Sequence, residues 1–93
     1  MKEITFNDFY QLYQNSSLSV LDVREVEEFE ALHLEGARNF PLSQLADTYE
    51  QLDKDNLYYV ICKSGIRSAR ACQFLAEQGY EVINVLGGMD ALE

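Results

Sequence analysis

The sequence has no tryptophan, one proline, one histidine and two cysteines among its 93 residues. Each scarcity removes a class of protein. A lone His33, with no second candidate ligand at metal spacing, argues against a metal site. Two cysteines cannot build the disulfide framework of a small secreted scaffold. A helix is expected between Cys62 and Cys72, and its rise would carry Cys72 roughly 9 Å from the loop holding Cys62. That exceeds the roughly 7 Å Cα limit for a bridge, so both thiols are expected to be free, as in a reducing compartment.

Apolar runs are short, and none approaches the roughly 18 residues of a membrane span. Met1-Lys2-Glu3-Ile4-Thr5 also lacks the apolar segment of a secretory signal, so a cytoplasmic location is expected. Basic residues are few as well: seven Lys and Arg face sixteen Asp and Glu, for a net charge of -9. Nucleic acid and anionic membrane surfaces both require basic patches, and neither is expected as a partner. The charge is nonetheless uneven. Residues 56–76 contain no acid but hold Lys63, Arg67 and Arg70, so +3 sits in this segment against -12 elsewhere.

What is present is one domain, residues 1–93, with 47% hydrophobic and 25% charged residues, an ordinary globular balance. Ile4-Thr5 predicts a short strand, and Thr5 with Asp8 resembles a capping pair opening a helix over residues 6–13. Asn15-Ser16-Ser17 breaks that helix. A strand over 18–23 precedes an acidic helix over 25–32, whose Val26, Phe29 and Leu32 form the expected buried stripe. Residues 36–40 leave a glycine turn as a strand. Pro41 closes it, and Ser43 is placed to cap a helix over 44–49.

Leu57 to Cys62 is an uninterrupted apolar strand of the kind buried in a parallel sheet. The helix over 66–78 groups Ala69, Cys72 and Ala76 on one face and ends at Gly79. A last strand spans 81–85. Strands alternating with helices call for βαβ units, hence an α/β fold with a parallel sheet and helices on both faces. In such sheets ligands bind beyond the carboxyl ends of the strands, where Cys62 and Asp22-Val23-Arg24 both fall.

The segment Cys62-Lys63-Ser64-Gly65-Ile66-Arg67-Ser68 therefore carries the chemistry. It places a sulfur where a loop turns directly into a helix N-terminus, whose unpaired N–H groups and dipole favour a thiolate. Gly65 permits a tight turn that converges several N–H groups on one point. Arg67 can brace the loop or bind an anionic substrate with its fork of donors. With no His or Asp adjacent as a base, the site suits thiolate attack on a soft centre with a good leaving group. Cys72, on the apolar face, is expected to be core. Asp22 and Arg24 either pair to support the loop or cap their strand, and the sequence does not choose between them. His33 is expected to order the turn before Gly36.

The chain resembles the rhodanese-like domains. The motifs that carry the resemblance are Asp22-Val23-Arg24 with Glu28-Phe29, His33-Leu34-Glu35-Gly36-Ala37, Asn39-Phe40-Pro41-Leu42, Cys62 to Ser68, and Gly87-Gly88, in the family's order and approximate spacing. It implies a five-stranded parallel sheet and a Cys62 that carries sulfane sulfur as a persulfide. The donor it implies is thiosulfate or another persulfide or polysulfide, and the acceptor is cyanide, a thiol or a protein thiol. No cofactor is implied, and a monomer is expected. Four residues separate Cys62 from Arg67, as in the family's sulfurtransferases; its phosphatase and arsenate reductase branch has one more. A non-catalytic binding module is the other alternative, using the acidic helix to recruit a partner. The chain departs from the pattern at Leu34-Glu35, where Ile-Pro is common, and near Leu92, where a Trp is common. Leu92-Glu93 could be an appended tail.

Overall fold

The computed structural model describes residues 1–92; the suggested tail residue Glu93 lies outside them. Five parallel strands form one sheet: β1 (Glu3–Thr5), β2 (Ser19–Asp22), β3 (Arg38–Asn39), β4 (Leu57–Ile61) and β5 (Glu81–Leu86), in the spatial order β1-β5-β4-β2-β3. Val60 of β4 lies opposite Leu21 of β2 on one side and Asn84 of β5 on the other, which makes β4 the central strand. Its apolar run follows from that position, because both faces are covered.

Four helices connect the strands: α1 (Phe6–Asn15), α2 (Val26–Ala31), α3 (Leu45–Thr48) and α4 (Ile66–Glu77). Single turns of 3-10 helix flank α3 and close the chain at Gly88–Ala91. Alternation along the strands divides the core in two. Leu21, Tyr58, Val60 and Val82 pack with Leu45 of α3 and with Ala71, Cys72 and Leu75 of α4. Val20, Tyr59, Ile61 and Val85 face the other way, against Phe6 and Phe9 of α1 and Met89. Helices therefore cover both faces of the sheet, as the βαβ pattern requires.

The Thr5 hydroxyl accepts a hydrogen bond from the Asp8 N–H at 3.2 Å, so the expected cap on α1 is formed. Three other local expectations are corrected. The α2 helix buries no residue, and Val26 and Leu32 are exposed, because α2 is a single short helix held at its ends rather than along an apolar stripe. Its N-terminus is closed by a capping box between Glu25 and Glu28. Ser43 does not cap α3; it lies within a 3-10 turn and its hydroxyl donates to Glu25 Oε1 at 2.8 Å. The buried face of α4 is Ser68, Ala71, Cys72 and Leu75, with Ala76 exposed, so the helix is rotated from the face its alanines suggested.

Candidate functional site

Strand β4 ends at Ile61 and delivers Cys62 to the carboxyl edge of the sheet. Gly65, at φ +104°, makes the turn into α4 and is its N-cap, but has no side chain to offer the free N–H groups. The Cys62 sulfur takes that place. The Gly65 N–H donates to Sγ at 3.0 Å, and Sγ lies 3.3 Å from the Ser68 hydroxyl oxygen. Burial pushes the Cys62 thiol up, but the Ser68 hydroxyl and the backbone N–H groups of Ser68, Gly65 and Ser64 outweigh it together and lower the pKa below that of an ordinary thiol. Cys62 exposes no surface, whereas Lys63, Ser64 and Ile66 of the surrounding loop are exposed.

A second glycine turn clamps the same loop from the end of β5. The Met89 and Asp90 N–H groups donate to the Cys62 and Lys63 carbonyls at 2.8 and 2.9 Å. This requires Gly88, since a Cβ there would sit 2.3 Å from the Cys62 carbonyl oxygen. Lys63 Nζ reaches Asp90 in an exposed 2.8 Å ion pair.

Arg67 is engaged by α2 in a partly exposed ion pair. Its guanidinium donates through both terminal nitrogens to the Glu28 carboxylate, at 2.6 and 3.0 Å. This bidentate bond holds the Glu28 carboxyl down at about 2. The partner Arg67 takes is thus Glu28 of α2, outside the Cys62 loop. Glu28 is positioned in turn from below. Asp22 and Arg24 form a buried ion pair at 2.7 Å, and Arg24 Nη2 also donates to the Leu32 carbonyl at the end of α2. Asp22 Oδ1 accepts from the Arg24 backbone N–H as well, so the pair both caps the strand end and buttresses α2.

His33 is brought elsewhere than expected. Its Nδ1 donates to the Phe29 carbonyl at 2.7 Å and its ring stacks on Phe29, so it finishes α2 rather than ordering the following turn. The turn itself is tied by Tyr13, whose hydroxyl donates to the Glu35 carbonyl.

Cys72 is buried on α4, and desolvation pushes its thiol up to about 12. Both cysteines are free. A cleft of about 460 Å³ lies at the opposite end of the strands, lined by Met1, Lys2, Cys72, Ala76, Tyr80 and Val82. Gln73, Glu77 and Glu81 complete its lining, and it lies away from the Cys62 loop.

The residue that the sequence reading missed is Asn84, buried in β5, whose amide spans Ser68 and the loop. A single Asn flanked by Val82, Ile83 and Val85 was the available signal, because a buried polar side chain must find partners.

The rhodanese-like domain family matches residues 5–93. The chain belongs to this family. It is 42% identical over 89 residues to the uncharacterized protein YqhL of Bacillus subtilis, covering 95% of this chain and 69% of that protein. The thiosulfate sulfurtransferase GlpE of Shewanella oneidensis is 33% identical over 87 residues, covering 94% of this chain and 86% of the relative. The crystal structure of a rhodanese-like domain protein from Staphylococcus aureus superimposes with a TM-score of 0.93 at 31% identity, covering 100% of this chain and 92% of that one. As a rhodanese-like domain with such relatives, the chain is supported as a sulfurtransferase in broad class. Among the described residues, no helix is long and apolar enough to cross a membrane.

Proposed function

We propose that this rhodanese-like domain moves a sulfane sulfur from a small anionic donor such as thiosulfate to a nucleophilic acceptor through a persulfide on Cys62. The observation that carries the reading is the sulfur itself, seated where the chain enters α4 as the acceptor for the Gly65 N–H, with its thiol lowered by the Ser68 hydroxyl and the neighbouring N–H groups. The Cys62 thiolate attacks the outer sulfur of thiosulfate and forms a new S–S bond. The donor's own S–S bond breaks, and sulfite leaves with the electron pair. Donation from the N–H groups that favour the thiolate would also stabilise charge on the terminal persulfide sulfur. Cyanide or an acceptor thiolate then attacks the outer sulfur, and Cys62 departs as the thiolate. Donor and acceptor balance the exchange between them, so the cycle consumes no cofactor.

Phosphate transfer fits less well. The four-residue interval from Cys62 to Arg67 closes the N–H groups on a single atom, and Glu28 already fills the Arg67 fork that would have to hold an oxyanion. A purely binding role would leave the lowered Cys62 thiol without a task.

Thiocyanate formation from thiosulfate and cyanide tests the reading. Parallel double-reciprocal lines and loss of turnover in Cys62→Ser are expected. Undiminished turnover in Cys62→Ser, or no turnover in the wild type with either cyanide or a small thiol, would refute it.

A further inference from the structure

We propose that Asn84 is a positioning residue that competes with the Cys62 sulfur for the single hydroxyl proton of Ser68. Three buried side chains stand in a row. The Cys62 sulfur is 3.3 Å from Ser68 Oγ, the Ser68 hydroxyl donates to Asn84 Oδ1, and Asn84 Nδ2 donates to the Gly65 carbonyl at 3.3 Å. All three residues are at most 1% exposed, so no water replaces a missing partner.

The last bond orients the row. The Gly65 carbonyl can only accept, so it fixes the Asn84 amide with its nitrogen toward the loop and its oxygen toward Ser68. A hydroxyl has one proton. While that proton lies on Asn84, Ser68 shows Cys62 only lone pairs, which suits a thiol that donates S–H. A thiolate needs the reverse. The hydroxyl must turn its proton to the sulfur, and Asn84 Oδ1 is then left buried without a donor.

Given the sulfur transfer proposed above, on which this part of the inference rests, the hydroxyl turns with each half-reaction. It points to the sulfur in the free thiolate and returns to Asn84 when the S–S bond forms and the charge moves to the outer sulfur. Asn84 therefore favours the thiol and the loaded persulfide over the bare thiolate. It also restrains Cys62 from leaving when an acceptor takes the outer sulfur.

The test is the pH profile of Cys62 alkylation by iodoacetamide in wild type, Asn84→Leu, Ser68→Ala and the double variant, with circular dichroism as the check on folding. Asn84→Ala replaces Asn84→Leu if the larger side chain does not fit. The other ionisable groups facing the sulfur, Arg67 and Cys72 on α4, are unchanged in all four proteins. Removing the competing acceptor should increase the thiolate fraction below the midpoint about tenfold, the effect expected from relieving one orphaned buried acceptor. Ser68→Ala should shift the midpoint upward, and in that background the Asn84 substitution should shift it no further. An unchanged or raised midpoint in Asn84→Leu would overturn the proposal. So would a shift that persists without the Ser68 hydroxyl, which is what a merely structural hold on Gly65 would give.

Alkylation needs no sulfur donor, so the two readings fail separately. Equilibration with thiosulfate and sulfite is the parallel measurement, and the loaded fraction should fall in Asn84→Leu. If no protein loads while the alkylation pattern holds, the sulfurtransferase reading fails and the proton competition stands.

Discussion

Replacing Gly88 with alanine should cost far more stability than the same change at Gly36, although both glycines have positive φ. At Gly36, with φ +85°, a Cβ would meet nothing within 4 Å. The cost there is the left-handed backbone alone, about 1 kcal/mol. At Gly88, with φ +54°, a Cβ would lie 2.3 Å from the Cys62 carbonyl oxygen, 2.6 Å from the Lys63 carbonyl oxygen and 2.7 Å from the Lys63 carbonyl carbon. All three are backbone atoms and cannot rotate away. The turn must retreat, and the bonds from Met89 N–H and Asp90 N–H to those carbonyls lengthen or break. Two net hydrogen bonds at about 1 kcal/mol each, added to the backbone term, give a loss of about 3 kcal/mol. For a domain of this size each kcal/mol moves the melting temperature by about 4–8 °C. Thermal unfolding followed by circular dichroism should therefore separate Gly88→Ala from Gly36→Ala by about 8–16 °C. Equal shifts for the two variants would show that the clamp on the Cys62 loop is not close-packed.

The remaining predictions concern charge and reactivity. Glu28→Gln removes the carboxylate that Arg67 grips. Since the folded carboxyl is lowered to about 2, its stabilisation is complete above the ordinary carboxylate range and is lost as pH falls toward 2. Urea midpoints across acid pH should show a smaller acid-dependent loss in Glu28→Gln, and the wild-type slope in the variant would contradict the pairing. Because this pair is partly solvated, the effect at neutral pH should be modest, below about 1 kcal/mol. Iodoacetamide at neutral pH should label Cys62 well ahead of Cys72, whose thiol is pushed up to about 12 and buried. Peptide mapping that found the two labelled at similar rates would undercut the contrast drawn between them.

Where the sequence was informative, the cause was local. Thr5 caps α1 because its partner Asp8 is three residues away, and the run from Leu57 to Ile61 shows central burial directly. The reactive loop was legible for the same reason: cysteine, glycine and helix start are adjacent in the chain. What was hidden depends on distance or on rotation. Glu28 meets Arg67 across 39 residues and Asn84 meets Ser68 across 16, so neither bond leaves a local signal. Alanine is small enough for either face of a helix, so the face of α4 could not be read from Ala69 and Ala76. It is set by Ser68, which must face the sulfur. The supposed stripe on α2 failed because the helix stops at Ala31, leaving Leu32 outside it, and Val26 and Phe29 alone do not oblige burial when both ends are fastened by Glu25, Glu28 and Arg24. His33 stood close enough to the Gly36 turn to suggest a role there, yet the nearer helical carbonyl of Phe29 claimed its ring nitrogen.

The central claim is that Cys62 carries the transferred sulfur, and intact mass spectrometry after incubation with thiosulfate tests it most directly. The wild-type protein should gain the mass of one sulfur atom and lose it again on addition of cyanide, while Cys62→Ala should gain nothing. A wild type that stays unloaded, or a Cys62→Ala protein that loads equally, would contradict the account.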